Sequence, residues 1–380
     1  MTPRIAHRIS AAPGTMIGAL GVLACSVIPA SAGQPAAPRY LETVHLPTHS
    51  EGFHDWPSDE ISAIEVLPDR YPELNNLAIL LVLPDDRSEQ APARLGMIES
   101  PARGGGAMSG IRWVALRDDR GRTFEKNTVD PEAVRFLNYV SGAAGESQTV
   151  VWTSEGYAKG GVQPAIYTWT MNQDRAQKWS LPDAFVHDDA SAPSRGIFHN
   201  NGFESLAIDT WGETPVAYAA VERPLIQDEG TGVCRVLARS IDGSRVYQYG
   251  YPLGPAPDGT DPDTLAVAEL LCVGPRRFLA LENAELPDGE TVASLFWIST
   301  DGASDLSGVE SLKDLDGASP RFIEKKRLLD FSSLPGKTGL GNFEGMDAVD
   351  GKLFFVEDNE HGKAGSTRML VFTLPDGLGE

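Results

Sequence analysis

The chain has 380 residues, of which 41% are apolar, and a formal net charge of −21 at pH 7. This length and apolar share suffice for a large core, in one all-β domain or in two smaller domains. The negative charge argues against binding to nucleic acid or to anionic membrane surfaces. It suits a soluble protein, or a carboxylate-rich site that collects divalent cations.

The N-terminal residues have the pattern of a secretory signal peptide. Two arginines precede an apolar run, residues 16–28, and small residues surround Ala32. We therefore predict a signal peptide over residues 1–32, a Pro/Ala linker over residues 33–39, and a secreted or periplasmic protein after cleavage near Ala32. The apolar run is too short for a membrane-spanning helix. An alternative is lipoprotein processing at Cys25.

Short β-rich segments follow one another along the rest of the chain, and Gly, Pro, Asn or Asp separates most of them. This pattern predicts a sandwich, a barrel or a propeller. The long spacing of an internal repeat, described next, favours a single all-β domain over residues 40–380 that forms a β-propeller of four-stranded blades. At about 50 residues per blade we predict six blades, with five as the alternative. Segment 40–46 is predicted to close the ring beside strand 368–374.

The internal repeat consists of hairpins that carry one glutamate on each strand. In the clearest case an Asp350-Gly351 turn joins two strands. The glutamates that lie equidistant from such turns are Glu132 with Glu155, Glu204 with Glu222, Glu269 with Glu282, and Glu344 with Glu357. The first-strand members are 72, 65 and 75 residues apart. Because equivalent positions of successive blades surround one axis, we expect an acidic ring at one mouth of the channel.

This ring predicts a calcium site, because Ca²⁺ binds six to eight oxygen ligands. The predicted ligands are Glu132, Glu155, Glu204, Glu282, Glu357, Asp358 and Asn359. A carboxylate outside this set, Glu344 or Glu222, is the predicted general base. The side chains predicted to hold substrate oxygens are Arg120, Arg223 and Arg368. In the alternative interpretation, the glutamates accept hydrogen bonds and tie blades together.

Two cysteines, Cys234 and Cys272, remain after the predicted cleavage. They could form a disulfide in an oxidising compartment, or remain as two buried thiols. No Gly-x-Ser-x-Gly motif is present, so a serine esterase lacks its usual signature.

Several of these motifs resemble those of the phytase-like domain family, also described as "esterase-like activity of phytase". The segments that carry the resemblance are 118–121, 201–207, 221–225, 249–253, 279–283 and 342–359. The resemblance implies an exported β-propeller-like fold and a phosphoesterase or esterase activity. Ser205 and Ala133 replace a glycine of the family motif, and Met346 replaces a leucine.

Two functions remain open at this point. The first is an exported hydrolase of phosphate or other esters, with a small-molecule substrate and with Ca²⁺ held by the ring of glutamates at the channel mouth. The second is a non-catalytic exported propeller that binds a ligand or an envelope partner. A lactonase-like hydrolase is a further possibility by analogy of fold. The scarcity of basic residues in the repeated hairpins argues against a highly phosphorylated substrate, unless Ca²⁺ supplies the positive charge.

Overall fold

The structure is a computed structural model. It describes residues 36–52, 54–67, 77–101, 108–139, 147–170, 174–188, 193–212, 214–315, 320–359 and 366–378. The predicted signal peptide and the first residues of the predicted linker lie outside the described residues.

Twenty strands form five antiparallel sheets of four strands each, and these sheets are the blades of a β-propeller. Blade 1 contains β2 (Ile61–Leu67), β3 (Leu77–Pro84), β4 (Arg94–Pro101) and β5 (Arg112–Ala115). Blade 2 contains β6 (Pro131–Tyr139), β7 (Ser147–Ser154), β8 (Ala165–Thr170) and β9 (Arg175–Lys178). Blade 3 contains β10 (Ala207–Asp209), β11 (Val216–Ala220), β12 (Val233–Ser240) and β13 (Val246–Pro252). Blade 4 contains β14 (Ala266–Gly274), β15 (Arg277–Glu285), β16 (Thr291–Ser299) and β17 (Glu324–Asp330).

Blade 5 joins the two ends of the described chain. It contains β18 (Asn342–Val349), β19 (Lys352–Asp358), β20 (Arg368–Thr373) and β1 (Tyr40–His45). Strand β1 pairs with β20 in antiparallel register. The predicted closure of the ring is therefore confirmed, and pairing with β1 removes the exposed edge that β20 would otherwise present.

The predicted number of blades, six, is wrong, and the alternative of five is correct. The error came from the assumed blade length of about 50 residues. The spacing of 65 to 75 residues between the repeated glutamates was itself the length of a blade.

The core lies between adjacent blades. Between blades 1 and 2, fully buried Trp152 and Trp169 pack with Leu81 and Leu95. Between blades 4 and 5, Phe331 packs against Phe343 and Phe355 with ring centroids 5.5 and 5.0 Å apart. Burial of such aromatic side chains is a large favourable term in folding, so the blades are held together mainly by these interfaces.

The inner strands β2, β6, β10, β14 and β18 contact one another around the propeller axis. The side chain of Arg135, on β6, spans this axis. Its guanidinium donates to the carbonyl oxygens of Ile64, Leu270 and Met346 at 3.2, 2.8 and 3.1 Å. These carbonyls belong to blades 1, 4 and 5, so one side chain of blade 2 binds three other blades.

Three buried or nearly buried carboxylates surround this arginine. Arg135 Nη2 lies 2.9 Å from Glu269 Oε2, and Arg135 Nη1 lies 3.6 Å from Glu65 Oε2. The negative charge of Asp347 also attracts the guanidinium. Glu269 Oε1 in turn accepts a hydrogen bond of 3.0 Å from the backbone N–H of Leu206, which lies beside blade 3. We call these four side chains, Arg135, Glu65, Glu269 and Asp347, the axial cluster.

The axial cluster predicts a fall in stability at higher pH. Burial raises the pKa of Glu269 to about 7, although Arg135 and two backbone N–H groups lower it. A carboxyl whose pKa is raised on folding contributes stability below its unfolded pKa, and that contribution is lost as pH rises through the folded pKa. From 4.5 to about 7, at about 1.36 kcal/mol per pH unit, the loss amounts to about 3 kcal/mol.

Glu269→Gln should therefore show a weaker decline in the free energy of unfolding between pH 5 and pH 8 than the unmodified protein. Urea unfolding at a series of pH values measures this difference. Glu324→Gln, at an exposed position on β17, is the matched control and should follow the unmodified protein. If the curve of Glu269→Gln also runs parallel to it, Glu269 does not titrate in this range.

The disulfide that the sequence allowed is absent from the structure, in which both thiols are free. Cys234 lies on β12 of blade 3 and Cys272 on β14 of blade 4. Each Sγ instead faces a backbone carbonyl, that of Glu222 for Cys234 and that of Gly274 for Cys272. Across the described part of the chain, no helix has the length and apolar character needed to cross a membrane.

Candidate metal centre

The inner strands share a β-bulge near their first residues. The register shifts between Ile61 and Ala63, Pro131 and Val134, Val267 and Glu269, and Phe343 and Gly345. In blade 3 an isolated bridge between Phe203 and Val221 takes the corresponding place ahead of β10. A bulge bends the strand and re-aims the extra side chain. The residues at this position are Ser62, Glu132, Glu204, Ala268 and Glu344.

The second strand of each blade supplies a polar residue at the same level. It directly follows the residue that pairs with the inner-strand residue just before the bulge position. In blade order these residues are Asp85, Glu155, Glu222, Asn283 and Asp358. One mouth of the propeller is therefore lined from two strands of every blade.

We call the acidic residues at these positions, together with the adjacent Asp130, the acidic ring. Its members are Asp85, Asp130, Glu132, Glu155, Glu204, Glu222, Glu344 and Asp358. Single oxygens of Asp85, Asp130 and Glu132 all lie within 4.8 Å of one another. The same holds for Glu132, Glu155 and Glu204, so Glu132 belongs to both groups.

The electrostatics of the acidic ring are unfavourable without a cation. Burial raises the pKa of Glu132 well above its ordinary value, and the charges of Asp85 and Glu204 raise it further. Burial, with the charges of Glu222 and Asp130, acts in the same direction on the pKa of Glu155. Like charges held together in this way favour protonation or the binding of a metal ion.

Two orphaned oxygens show that the ring is suited to a cation. Asp130 Oδ1 and Glu155 Oε2 are buried without any hydrogen-bond donor. Unsatisfied buried polar atoms are rare and costly in folded proteins. Clustered carboxylate oxygens are the hard ligands that Ca²⁺ prefers. The residues present therefore fit a divalent cation.

One guanidinium lies beside the acidic ring. Arg87 Nε donates to Asp130 Oδ2 at 2.7 Å, and Arg87 also donates to the amide oxygen of Asn200. The guanidinium lies 5.0 Å from the ring centroid of Tyr157. The Asp130 side chain is fully buried, whereas that of Arg87 is partly exposed. The ion pair therefore fixes the orientation of the Asp130 carboxylate, and the Arg87 guanidinium still reaches the mouth of the propeller.

A cleft of about 200 Å³ adjoins the acidic ring on the side of blade 4. The cleft opens at Ala268. Three other blades have a glutamate at the equivalent position, and the smaller alanine side chain leaves the space. Glu204, Glu222 and Glu344 form its acidic wall, and Arg223 lies at its edge. Arg223 donates to the carbonyl oxygens of Asp263 and Thr264 at 3.0 and 3.1 Å, which holds the guanidinium in place.

Glu222 and Glu344, which line the cleft and lie outside both metal groups, have different partners. Glu222 accepts a hydrogen bond from the Asn201 amide and lies 3.5 Å from Arg223 Nε. Glu344 Oε1 accepts from Asn342 Nδ2 at 2.6 Å. Burial, and then the charges of Asp358 and Asp85, raise the pKa of Glu344 well above its ordinary value.

A profile described as "Phytase-like: Esterase-like activity of phytase" matches residues 60–361. The chain belongs to the phytase-like family. The match extends from the residue before β2 to the segment after β19, so it covers nearly all the propeller and every residue of the acidic ring. Comparison with curated proteins found no matching sequence.

Comparison of this phytase-like chain with solved structures found distant similarities at low identity. The catalytic domain of a GH62 α-L-arabinofuranosidase from Coprinopsis cinerea has a TM-score of 0.45 and 10% identity, covering 90% of this chain and 99% of that one. A hypothetical protein from Leishmania major has a TM-score of 0.41 and 11% identity, covering 90% and 93%. The Dos1 propeller has a TM-score of 0.34 and 10% identity, covering 86% and 71%.

Six residues predicted for the site of the phytase-like chain come together in the acidic ring. They are Glu132, Glu155, Glu204, Glu222, Glu344 and Asp358. Of the predicted arginines, Arg223 lines the cleft. Arg120 lies instead in an exposed turn after the outer strand β5, and Arg368 is bonded to Glu357.

Three predicted ligands have other partners in the structure. Glu282 forms a buried ion pair with Lys325, and Glu357 forms one with Arg368. Both glutamates precede the ring position by one residue, so their side chains leave the strand on the other face. The Asn359 amide oxygen accepts from the backbone N–H of Glu60 at 3.0 Å, which ties blade 5 to blade 1.

Sequence reasoning missed Asp85, Asp130 and Arg87. Asp85 follows β3 as Glu155 follows β7, and it lies 70 residues before Glu155. The hairpin of blade 1 was overlooked because its bulge holds Ser62 and its second strand ends in Asp instead of Glu. Extending the repeat backward by one blade from Glu155 would have found it.

Proposed function

We propose that this phytase-like protein is an exported, Ca²⁺-dependent hydrolase that cleaves small phosphate esters or other esters at the cleft beside the acidic ring. The observation that carries this proposal is the pair of carboxylate groups that share Glu132 and adjoin an open cleft. The family description and the predicted signal peptide support the same proposal. The predicted secreted or periplasmic location belongs to it as well.

The two carboxylate groups would hold one or two Ca²⁺ ions. Asp85, Asp130 and Glu132 form one ligand set, and Glu132, Glu155 and Glu204 form the other. Bound Ca²⁺ would supply the positive charge that attracts an ester oxygen and makes a water molecule more acidic. Arg87 would keep the Asp130 carboxylate oriented toward the ions through its 2.7 Å hydrogen bond.

The cleft limits the substrate. Its volume of about 200 Å³ and its single lining arginine, Arg223, suit a small ester with one anionic or polar group. A substrate with several phosphate groups would face the glutamate wall with little protein cation to balance it. Arg223 is positioned to hold one substrate oxygen while the scissile bond lies toward Glu204, Glu222 and Glu344.

We assign the general base to Glu222 and the general acid to Glu344. Burial raises the pKa of Glu222, but the Arg223 guanidinium and the Asn201 amide act against this shift and favour its ionised form. The carboxylates around Glu344 favour its protonated form. Two carboxyl groups whose surroundings separate their pKa values are the usual pattern for an acid and a base in one site.

Thermal unfolding of the mature protein in EDTA, followed by addition of Ca²⁺, Mg²⁺ or Mn²⁺, tests the metal site. A ligand at about 100 times its Kd adds about 2.7 kcal/mol to the free energy of unfolding. We expect a rise in melting temperature that is largest with Ca²⁺. An unchanged melting temperature with all three ions would contradict the proposed metal centre.

Hydrolysis of p-nitrophenyl phosphate and p-nitrophenyl acetate, with Ca²⁺ or with EDTA, tests the activity. We expect Ca²⁺-dependent hydrolysis of at least one ester. Glu222→Gln should reduce the rate by about 100-fold or more, as is typical for loss of a general base, and should keep the Ca²⁺-induced rise in melting temperature. Glu324→Gln, at an exposed position on β17, is the control and should keep both. A full rate in Glu222→Gln would exclude Glu222 as the base.

A further inference from the structure

A second open site lies at the other end of the propeller. Strand β10 begins just after Glu204 of the acidic ring and ends at Asp209, and a cavity of about 570 Å³ lies at that far end. It lies between blades 3 and 4, where the turn from β14 to β15 places Pro275 and Arg276. Its volume is in the usual range for a ligand site.

Aromatic side chains form one wall of this cavity, which we call the aromatic groove. The ring centroids of Tyr218 and Tyr249 are 6.4 Å apart with 15° between the planes. Those of Tyr249 and Tyr247 are also 6.4 Å apart, with 22° between the planes. Trp211 completes the wall. Tyr218 and Tyr249 are buried, so the aromatic side chains that the groove offers to a ligand are Trp211 and Tyr247.

Two aromatic side chains of this wall are exposed to solvent, which is unusual for large apolar side chains in this molecule. Trp211 is 58% exposed and Tyr247 is 40% exposed. Among the described residues the large exposed apolar side chains are Leu41, Trp211, Val246 and Tyr247, and two of the four, Trp211 and Tyr247, line the aromatic groove. Exposed apolar side chains that gather in one place mark a binding surface, whereas isolated ones need no explanation.

The charged side chains that line the aromatic groove balance one another, and hydrogen bonds from backbone N–H groups hold its two carboxylates in place. Asp209 accepts hydrogen bonds of 3.0 Å from the backbone N–H groups of Trp211 and Arg276. Asp305 Oδ1 accepts from the N–H of Gln248 at 3.1 Å. Arg245 forms no salt bridge with any described residue. Two carboxylates and two guanidinium groups give no net charge that would select a polyanion or a polycation.

We propose that the aromatic groove binds a neutral oligosaccharide chain. The apolar C–H face of a sugar ring stacks on an aromatic face, and Trp211 and Tyr247 provide two exposed aromatic side chains for this contact. The fixed carboxylates and Arg245 supply acceptors and donors for sugar hydroxyls. The open shape covers only one side of a ligand, which suits a polymer better than an enclosed small molecule. This proposal does not depend on the proposed hydrolase activity.

Isothermal titration with cellohexaose, xylohexaose, maltohexaose and chitohexaose tests the proposal on the mature protein. We expect at least one of these to bind with a Kd of about 1 mM or lower. Trp211→Ala should weaken that binding by about tenfold or more, which corresponds to about 1.4 kcal/mol. Tyr247→Ala should weaken it in the same direction. Both side chains are exposed, so the variants should fold, and circular dichroism checks this.

Leu41→Ala provides the matched control, because Leu41 is an exposed apolar side chain outside the groove. It should leave the affinity unchanged, as should Glu132→Gln in the acidic ring. Failure of all four oligosaccharides to bind would overturn the proposal. So would binding that survives Trp211→Ala combined with Tyr247→Ala, or binding that Arg223→Ala abolishes, since that result would place the sugar in the other cleft.

Discussion

Replacing Glu132 by Gln is expected to abolish the Ca²⁺-induced rise in melting temperature and to raise the melting temperature in EDTA. Glu132 belongs to both carboxylate groups, so its loss removes a ligand from each. Without metal, the same change removes one of several buried like charges whose mutual repulsion destabilises the fold. Loss of about 2.7 kcal/mol of ligand-induced stabilisation is visible as a shift of several degrees.

The two opposite effects of this substitution separate a metal centre from a structural cluster. Scanning calorimetry in EDTA and in millimolar Ca²⁺ measures both on one sample. Glu99→Gln, at an exposed ion pair with Arg112, is a matched loss of one carboxylate and should leave both melting temperatures nearly unchanged. A lower melting temperature in EDTA, with the Ca²⁺ effect preserved, would show that Glu132 is a structural acceptor and not a ligand.

Replacing Arg135 by Met is expected to lower the free energy of unfolding by about 3–5 kcal/mol, because it leaves buried carboxylates without their cation. Glu65, Glu269 and Asp347 would then face one another around the axis, and the carbonyl oxygens of three blades would lose a donor. Urea unfolding at pH 7 measures the change. The loss should shrink at pH 5, where Glu269 is protonated.

Arg112→Met is the control for this experiment. Arg112 and Glu99 form an ion pair on the surface, and such pairs contribute about 0–1 kcal/mol. If Arg135→Met costs no more than Arg112→Met, the axial cluster does not hold the blades together. The double variant Arg135→Met with Glu269→Gln should recover part of the loss, since it removes one of the uncompensated charges.

The fold was largely predictable because its signals are local and repeated. Short β-rich segments separated by Gly, Pro, Asn or Asp predicted the strands, and the Asp350-Gly351 turn appears as predicted, with both residues at positive φ between β18 and β19. Closure by β1 could also be predicted, since a propeller leaves no free edge. The predicted number of blades was wrong because it was calculated from a general blade length instead of the spacing between the repeated glutamates of this chain.

The site was predictable only as far as the strands keep regular register. Glu132 lies near Glu155, and Glu204 lies near Glu222, as predicted. In both hairpins the bulge on the first strand is matched by an offset of one residue on the second strand, so the two glutamates stay on the same side. Counting from the turn of blade 5 selected Glu357, whereas Asp358 faces the ring. In blade 4 it selected Glu269 and Glu282, whereas Ala268 and Asn283 hold the equivalent positions. A bulge shifts which face a side chain occupies, and the sequence alone does not reveal where it falls.

The side chain of Arg135 crosses the propeller axis. It binds carbonyl oxygens of strands from three other blades, so among the described residues it occupies the centre of the channel behind the acidic mouth. If the proposed hydrolysis takes place in the cleft beside Glu204 and Glu344, substrate and product would share the opening of that cleft. Turnover would then depend on the departure of the product as much as on the bond-breaking step.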